Sequence, residues 1–333
     1  MIKSIHFQNF RALRNATLPL SRFTLLVGPN GSGKSTAMQA FGFISTESAS
    51  NLKDWMTAGI DMSEPTAVRI TWIEDGQEFV TGAVLRNISS FIQLDEPETG
   101  GAQFYAGKLR DFLSSFRIFS FAAEAIAAAV QTTPYPQLAQ DGSNLAAVLD
   151  ALRDTHPERF EDLNKEFHRW LPEFDRILFE TPTVGKKSFL VRTSIGHHRL
   201  RASDLSQGVL FALAFLALAY LPNPPSIVCF EEPDRGIHPR LLVDIRDAMY
   251  RLAFPENYGE KRAPVQVIAT THSPYLLDLY KEHPEQIVIA HKDEQGVHFE
   301  LLSEKPHLSE ILEGAPLGDI WFSGILGGVP ATP

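Results

Sequence analysis

Eight consecutive residues near the N-terminus have the composition of a phosphate-binding loop. Gly28–Ser35 reads Gly-Pro-Asn-Gly-Ser-Gly-Lys-Ser and fits the pattern G-x-x-x-x-G-K-[ST] in full. Such glycines let backbone N–H groups turn toward a polyphosphate, and a following helix adds about half a positive charge at its N-terminus. The pattern predicts that Lys34 reaches the β- and γ-phosphates and that the Ser35 hydroxyl ligates Mg²⁺. The residues predicted to contact the nucleotide here are Gly28, Pro29, Asn30, Gly31, Ser32, Gly33, Lys34, Ser35 and Thr36.

A second segment places two acids at the end of an apolar run. Ile227–Phe230 is followed directly by Glu231 and Glu232. Next to a phosphate loop, two such carboxylates have distinct tasks, because one must hold hydrated Mg²⁺ and the other must orient and deprotonate a water. We assign Glu231 to the metal and Glu232 to the water.

Two further segments lie at the predicted start of a helix and at the predicted end of a strand. Asp204–Gly208 precedes a long hydrophobic run, so Ser206 is predicted to cap a helix. The N-terminal amides of that helix would then point toward an anion. His272 follows the apolar run Val265–Thr271. Ser273 and Pro274 are predicted as the N-cap and first residue of the next helix, which argues against a hydrolase pair of His272 and Ser273.

The elements that position these residues follow from hydrophobic patterning. Ser226–Glu231 and Val265–Thr271 are continuous apolar runs, as expected for parallel strands covered on both faces. Gln207–Tyr220 is apolar all round and is predicted to be a buried helix. Further strands are predicted at Ile2–Phe7 and Phe23–Val27, and a helix from Lys34 to about Ile44. Short antiparallel strands, with a hairpin turn at Glu74–Gln77, are predicted at Val68–Glu74, Phe79–Leu85 and Ser90–Leu94.

The middle of the chain is predicted to contain a helical lid or arm. Helices are predicted at Ala122–Val130, Ser143–Arg153 and Pro157–Trp170, and a strand at Phe116–Phe121. Strands then return at Arg176–Glu180, Ser188–Thr193 and His198–Ala202. The expected organisation is a single head over 1–333, divided into a phosphate-loop lobe with a β side sheet (1–94), an insertion with returning strands (95–202), a lobe with the later motifs (203–303) and a tail (304–333).

The order of these motifs resembles that of ABC-type ATPases. Asp204–Gly208 resembles the LSGGQ signature in the shortened form of the SMC and RecF branch, and Thr270–Pro274 resembles the switch-histidine segment. Pro233–Pro239 is similar to the EEPExGxHP form of predicted AAA-like ATPases related to RecF and OLD proteins, with His238 where transporters carry Asp. Asn9–Arg11 resembles the start of SMC and RecF heads, which implies that Arg11 lies near the nucleotide.

The resemblance implies a fold and a chemistry. The implied fold class is α/β, a P-loop NTPase with an ABC-ATPase-like head, a mostly parallel central sheet, an antiparallel side sheet and a helical insertion. The implied cofactors are ATP and Mg²⁺, with Ser35 and Glu231 as metal ligands. The implied catalytic residues are Lys34, Glu231, Glu232 and His272. In the family, the signature residues contact the γ-phosphate held by the opposite subunit. The resemblance therefore implies a homodimer in which Ser206, Gln207 and Gly208 of one copy contact the nucleotide bound by the other.

The biological role has more than one interpretation. The first is an ATPase of DNA repair or antiphage defence that drives a separate effector such as a nuclease, with DNA as a further partner. The alternatives are the nucleotide-binding subunit of an ABC transporter and a nucleotide-gated binding module with little turnover. The altered segment at His238, the long gap between the first two motifs and the lack of a placed Q-loop glutamine weigh against the transporter.

Composition sets the outer limits. The net charge of −10 and pI near 5.6 argue against a surface that is basic throughout, although a local basic groove remains compatible with them. One cysteine, Cys229, excludes an internal disulfide framework and is interpreted as a buried small hydrophobe. The N-terminus lacks the pattern of a signal peptide, and the longest apolar run, Val209–Leu221, is too short to span a bilayer. We therefore expect a cytoplasmic protein without membrane insertion.

Overall fold

The computed structural model describes residues 1–45, 56–57, 64–74, 76–85, 93–94, 111–134, 136–294, 296–313 and 315–327. The chain forms two compact units, each built from separate stretches of sequence. The first unit contains Met1–Phe116, Pro225–Glu232 and Gln266–Pro333, and the second contains Arg117–Pro224 and Pro233–Val265.

The first unit contains a mostly parallel sheet. Its strands are β3 (Phe23–Val27), β12 (Ile227–Glu231), β13 (Gln266–Thr271), β14 (Ile287–Asp293) and β15 (Gly296–Leu301). They are arranged in the order β15-β14-β3-β13-β12, and only β15 is antiparallel to its neighbour. Strands β3 and β13 are buried along their whole length, as their continuous apolar sequence predicts.

An antiparallel sheet lies in the same unit. Its strands are β1 (Ile2–Phe10), β2 (Leu13–Pro19), β4 (Thr66–Glu74), β5 (Gln77–Leu85) and β6 (Gln93–Leu94), in the order β2-β1-β4-β5-β6. Strands β4 and β5 form the predicted hairpin, in which Glu74 lies opposite Gln77. The rest of the predicted strand Ser90–Leu94 and Asp75 of the turn lie outside the described residues. The buried side chain of Gln266 ties the two sheets together, because it donates to Ile2 O (2.6 Å) and accepts from Ile2 N (2.9 Å).

The helices of the first unit follow its strands. They include α1 (Lys34–Ser45), α7 (Pro274–Asp278), α8 (Leu308–Glu313) and α9 (Leu317–Phe322). Helix α1 begins at Lys34 as predicted, and α7 begins at Pro274 as predicted. Ser273 makes no side-chain cap bond; its N–H instead bonds Thr271 Oγ1 at 2.9 Å.

The second unit combines a small antiparallel sheet with longer helices. The strands of this sheet are β8 (Val130–Gln131), β9 (Phe174–Thr183), β10 (Lys186–Thr193) and β11 (Arg199–Arg201). The short strand β7 (Arg117–Phe119) belongs to the same unit but not to this sheet. The helices are α2 (Ala123–Ala127), α3 (Leu145–Thr155), α4 (Pro157–Trp170), α5 (Gln207–Tyr220) and α6 (Pro239–Ala253). Helix α5 has the predicted bounds, and every residue from Val209 to Tyr220 is buried.

One helix prediction in this unit was too long. The alanine-rich segment Ala122–Val130 is helical only at Ala123–Ala127, because Ala128 adopts an extended conformation (ψ 147°) and Val130 begins a strand. Val130 and Gln131 pair with Lys187 and Lys186 of β10. Strand pairing has thus overridden the high helix propensity of alanine.

Candidate active site

The glycine-rich loop is held between strands of the first unit. It leaves the buried strand β3 and ends where α1 begins, with Gly31 and Gly33 in left-handed conformations (φ 79° and 84°) that favour glycine. A Cβ built on Gly28 would lie 2.4 Å from the Ala290 carbonyl oxygen, and one on Gly33 would lie 3.2 Å from the Val297 methyl groups. The hairpin β14–β15 therefore forms one wall of the loop.

We predict that Gly28→Ala lowers the free energy of unfolding by about 1–3 kcal/mol, the usual cost of forcing atoms into a packed site. The obstacle is a backbone oxygen 2.4 Å from the new methyl group, which cannot rotate away. Urea unfolding measures this change. Gly208→Ala is the matched control: its nearest neighbour is 3.8 Å away, and a helical Gly→Ala change should raise stability by up to about 1 kcal/mol. Equal unfolding midpoints for Gly28→Ala and wild type would contradict the observed packing.

Lys34 lies over the loop that precedes it. Its ammonium donates to the carbonyl oxygens of Gly28 (2.7 Å) and Pro29 (2.9 Å). Burial lowers the pKa of Lys34 below its usual value, an effect that the negative charge of Glu232 opposes. The hydroxyl of Ser32 is buried and has no hydrogen-bond partner among the described residues. An unpaired buried donor beside an ammonium and a helix N-terminus fits a polyphosphate oxygen.

The two adjacent acids leave β12 in different directions. Glu231 completes the strand opposite Thr270, whereas Glu232 turns into a left-handed conformation (φ 48°) that is costly for a non-glycine residue. The Glu232 N–H bonds the carbonyl (3.1 Å) and the hydroxyl (3.3 Å) of Thr270, which hold this conformation. Glu231 therefore continues the strand, whereas Glu232 lies in a turn just after it, although the two are neighbours in sequence.

His272 lies against one of these acids. Its Nδ1 is 3.1 Å from Glu232 Oε1, and the imidazole is 49% exposed. The two side chains meet because β12 and β13 are parallel neighbours whose carboxyl ends lie at the same edge of the sheet. A carboxylate and an imidazole in contact can share and orient the proton of a bound water.

The donors available for a metal are oxygen atoms. Ser35 is exposed in the first turn of α1, and Glu231 is half-buried at the end of β12. No group of three or more His, Cys, Asp or Glu side chains could hold a metal ion within the part of the chain that the structure describes. This donor set fits Mg²⁺, which is commonly bound by one or two carboxylates together with substrate phosphates.

Arg11 contacts the helix that follows the loop. It lies in the turn between β1 and β2 with φ 49°, and its guanidinium donates to Gln39 Oε1. Gln39 is one helical turn after Ser35, so the two share a face of α1. The structure thus places Arg11, the glycine loop, both acids and His272 in the first unit.

The predicted signature residues belong to the second unit. The Ser206 hydroxyl accepts from Val209 N (3.4 Å), so it caps α5 as predicted, and Ser206 and Gln207 are exposed. The Gln207 side chain packs on Gly236, where an added Cβ would lie 2.6 Å from it. His238 caps α6, since its Nδ1 accepts from Arg240 N (3.2 Å).

Three contacts at the site were not predicted from sequence. They are those of Thr270 with Glu232, although Thr270 lies in the segment Thr270–Pro274 named above; of Gln39 with Arg11; and of the β14–β15 hairpin with the glycine loop. The apolar run Ile287–Ala290 and the Gly296 that follows were a signal for the hairpin. No sequence pattern indicated the other two. Cys229 is fully buried as predicted, and burial, with a smaller effect of Glu231, raises the pKa of its thiol well above the usual value.

The sequence of this chain matches one known protein family. Residues 23–278 match the family described as "AAA domain, putative AbiEii toxin, Type IV TA system". Structural maintenance of chromosomes protein 1B of Mus musculus is 36% identical over 81 residues, which are 21% of this chain and 6% of that protein. The OLD nuclease of Thermus scotoductus is 29% identical over 102 residues, which are 31% of this chain and 16% of that protein. The chain therefore matches only a small part of these relatives' length.

Solved structures give the fold. The SMC head domain from Thermotoga maritima aligns with a TM-score of 0.52 and 16% identity, covering 90% of this chain and 98% of that chain. The chain thus has an SMC-head-like α/β P-loop fold, with the mostly parallel sheet and antiparallel sheet that the sequence predicted. Among the described residues, no helix has the length and apolar character needed to cross a membrane.

Proposed function

Because the chain belongs to the AAA-domain family that matches residues 23–278 and is similar in sequence to SMC and OLD proteins, we propose the following mechanism for it. It is a Mg²⁺-dependent ATPase that closes into a head-to-tail homodimer on ATP and gates a separate effector, such as a nuclease, in DNA repair or antiphage defence. The observation that carries the hydrolytic part is the contact of Glu232 with His272 at 3.1 Å, in the same unit as the glycine loop.

The loop and α1 bind the triphosphate. Lys34, which bonds two loop carbonyls, exchanges them for β- and γ-phosphate oxygens, and the Ser32 hydroxyl gains the partner it lacks among the described residues. Ser35 and Glu231 would hold Mg²⁺, and Arg11 lies beside the same helix face. When bound there, the ion would supply positive charge against the charge that develops on the transferred phosphoryl group.

Glu232 and His272 act on the attacking water. The left-handed turn at Glu232 aims its carboxylate toward His272 rather than along the strand. Glu232 orients the water and accepts its proton, and His272 hydrogen-bonds the water and the γ-phosphate. Because His272 is half-exposed, it can respond to the presence of that phosphate.

A second copy completes the site. Ser206, Gln207 and Gly208 start α5, whose N-terminal amides carry the positive end of the helix dipole. Ser206 and Gln207 are exposed, so a partner protomer can reach them. In the closed dimer these residues contact the γ-phosphate bound by the other protomer.

Steady-state hydrolysis tests this proposal. We expect phosphate release to require Mg²⁺, to stop on addition of EDTA, and to rise per protomer with protein concentration, because the complete site needs two copies. A rate of phosphate release that does not change on addition of EDTA would contradict the assignment of Ser35 and Glu231 as Mg²⁺ ligands. ATP binding without turnover would favour the gated binding module, and co-purification with a membrane permease would favour the transporter subunit.

A basic sheet in the second unit supports DNA as a partner. Residues 174–201, which form β9 to β11, contain six Lys and Arg against two acids, although the whole chain has a net charge of −10. Arg192 lies opposite Arg176 on β9 and Arg199 on β11, and residues directly opposite project from the same face. Arg192 and Arg176 are partly neutralised by Asp175 and Glu161, whereas Arg199 is exposed. Arg201, two residues further along β11 and on the same face, is 69% exposed and lies 3.8 Å from Glu180. A row of guanidinium groups suits the spaced phosphates of a nucleic acid.

We predict salt-sensitive binding of duplex DNA that weakens when Arg199 and Arg201 are both changed to Ala. Two lost phosphate contacts should flatten the slope of log affinity against log salt by about two. Fluorescence anisotropy with a labelled duplex measures both quantities. Arg240→Ala, an exposed arginine of α6, is the control and should leave them unchanged. Equal loss in the control and the double variant would contradict a site on this sheet.

A further inference from the structure

The helix near the end of the chain packs on the helix that follows His272. Helix α9 packs on α7, which begins only two residues after His272. The inner side of α9 is apolar and buried, with Leu317, Ile320 and Trp321 at most 6% exposed. Neither the binding of phosphate nor the activation of water described above uses this contact.

One glycine makes the contact unusually close. A Cβ added to Gly318 would lie 2.5 Å from Pro274 Cβ and 2.6 Å from Pro274 O. The backbone of α9 therefore touches the first residue of α7 directly. Only a residue without a side chain permits this approach.

Two polar contacts fix the same pair of segments. The Gly318 N–H donates to Asp278 Oδ1 at 2.7 Å, and the Lys281 ammonium donates to the Ala315 carbonyl at 3.1 Å. Asp278 ends α7, so α9 contacts α7 at both its first and its last residue. The orientation of α7 is thereby determined at two points.

Movement of α7 would be transmitted to His272. Only Ser273 separates His272 from Pro274, whose ring limits backbone rotation. The Ser273 N–H is already bonded to Thr271 Oγ1 (2.9 Å), which leaves this connection little freedom. The His272 imidazole meets Glu232 at the far end of the connection.

We propose that Gly318 and Asp278 are positioning residues for His272, through which α9 holds the imidazole against Glu232. This inference rests on the proposed ATPase function. Displacement of a reacting group by about 1 Å can cost about 10²-fold in rate, so a shift of α7 reduces turnover while the phosphate loop still binds ATP.

The test compares variants at the contact with one outside it. We expect Gly318→Ala and Asp278→Ala to lower kcat about tenfold or more with little change in KM for ATP. Asp278→Asn keeps an acceptor oxygen for the Gly318 N–H and should restore most of the rate. Phe322→Ser changes a 76% exposed residue of α9 and should leave kcat unchanged.

A double-mutant cycle separates positioning from general destabilisation. In a His272→Ala background, Gly318→Ala should cause no further loss of kcat, because the residue it positions is absent. Losses that multiply in the double variant would overturn the proposal, as would a wild-type kcat in both Gly318→Ala and Asp278→Ala.

A measurement without ATP keeps this inference separate from the proposed function. The NMR signals of the His272 imidazole, identified by their loss in His272→Ala, should shift in Gly318→Ala and Asp278→Ala but not in Phe322→Ser. Absence of ATP turnover with these shifts present would refute the ATPase and retain the positioning contact. Unshifted signals in both variants would refute the contact even if ATP is hydrolysed.

Discussion

We expect Glu232→Gln to bind ATP as tightly as the wild type and to hydrolyse it about 10²–10⁴-fold more slowly, the range that a positioned general base contributes. Glutamine matches the size of Glu232 and can still hydrogen-bond His272, which lies 3.1 Å away, but it cannot accept the proton of water. The glycine loop and Lys34 are untouched. The change therefore removes chemistry and leaves binding.

Single-turnover hydrolysis and equilibrium ATP binding measure the two effects separately. Glu285→Gln is the matched control, because it removes one carboxylate charge from the same unit at a position 57% exposed and outside the site. Its binding and rate should equal those of the wild type. Hydrolysis at the wild-type rate in Glu232→Gln would show that another group activates the water.

We expect Lys34→Ala to abolish nucleotide binding at concentrations that saturate the wild type. Two charge-assisted hydrogen bonds to phosphate contribute roughly 3 kcal/mol or more, which is about 100-fold or more in affinity. Lys34 is the residue of the loop whose ammonium reaches Gly28 and Pro29, at the place where those phosphates would bind. Its loss cannot be replaced by the neutral amides alone.

Thermal unfolding with and without Mg²⁺-ATP measures this effect, since a ligand that binds only the folded state raises its Tm. The wild type should gain stability with ATP and Lys34→Ala should gain none. Lys3→Ala, which removes an exposed lysine paired with Glu78, is the control and should respond like the wild type. An equal ATP-dependent rise in Tm for Lys34→Ala would place the nucleotide elsewhere.

The parts of the fold that sequence predicted are those where one strong pattern dominates. Strand Phe23–Val27 and helix Gln207–Tyr220 have the predicted bounds, because continuous burial selects apolar residues at every position. The end of helix α2 could not be predicted, since pairing of Val130 with β10 decides it. That contact joins residues far apart in sequence, and local propensity contains no information about it.

The candidate site divides in the same way. The glycine loop and the acid pair were recognisable because phosphate and metal chemistry require those residue types at fixed spacing. The left-handed conformation of Glu232 was not, because it depends on Thr270 in the neighbouring strand. Likewise, nothing in the spacing of Gly28 indicated that the Ala290 carbonyl would lie against it.

Mixing two inactive variants tests most directly whether each complete site is shared by two protomers. Lys34→Ala lacks a phosphate-binding lysine, and Ser206→Arg lacks the cap of α5 at an exposed position. A mixed dimer contains one site in which Lys34 and Ser206 are both intact. We predict that an equal mixture recovers roughly a quarter of the wild-type rate, because half of the randomly paired dimers are mixed and each has one intact site of two. A mixture no more active than its separate components would contradict the shared site.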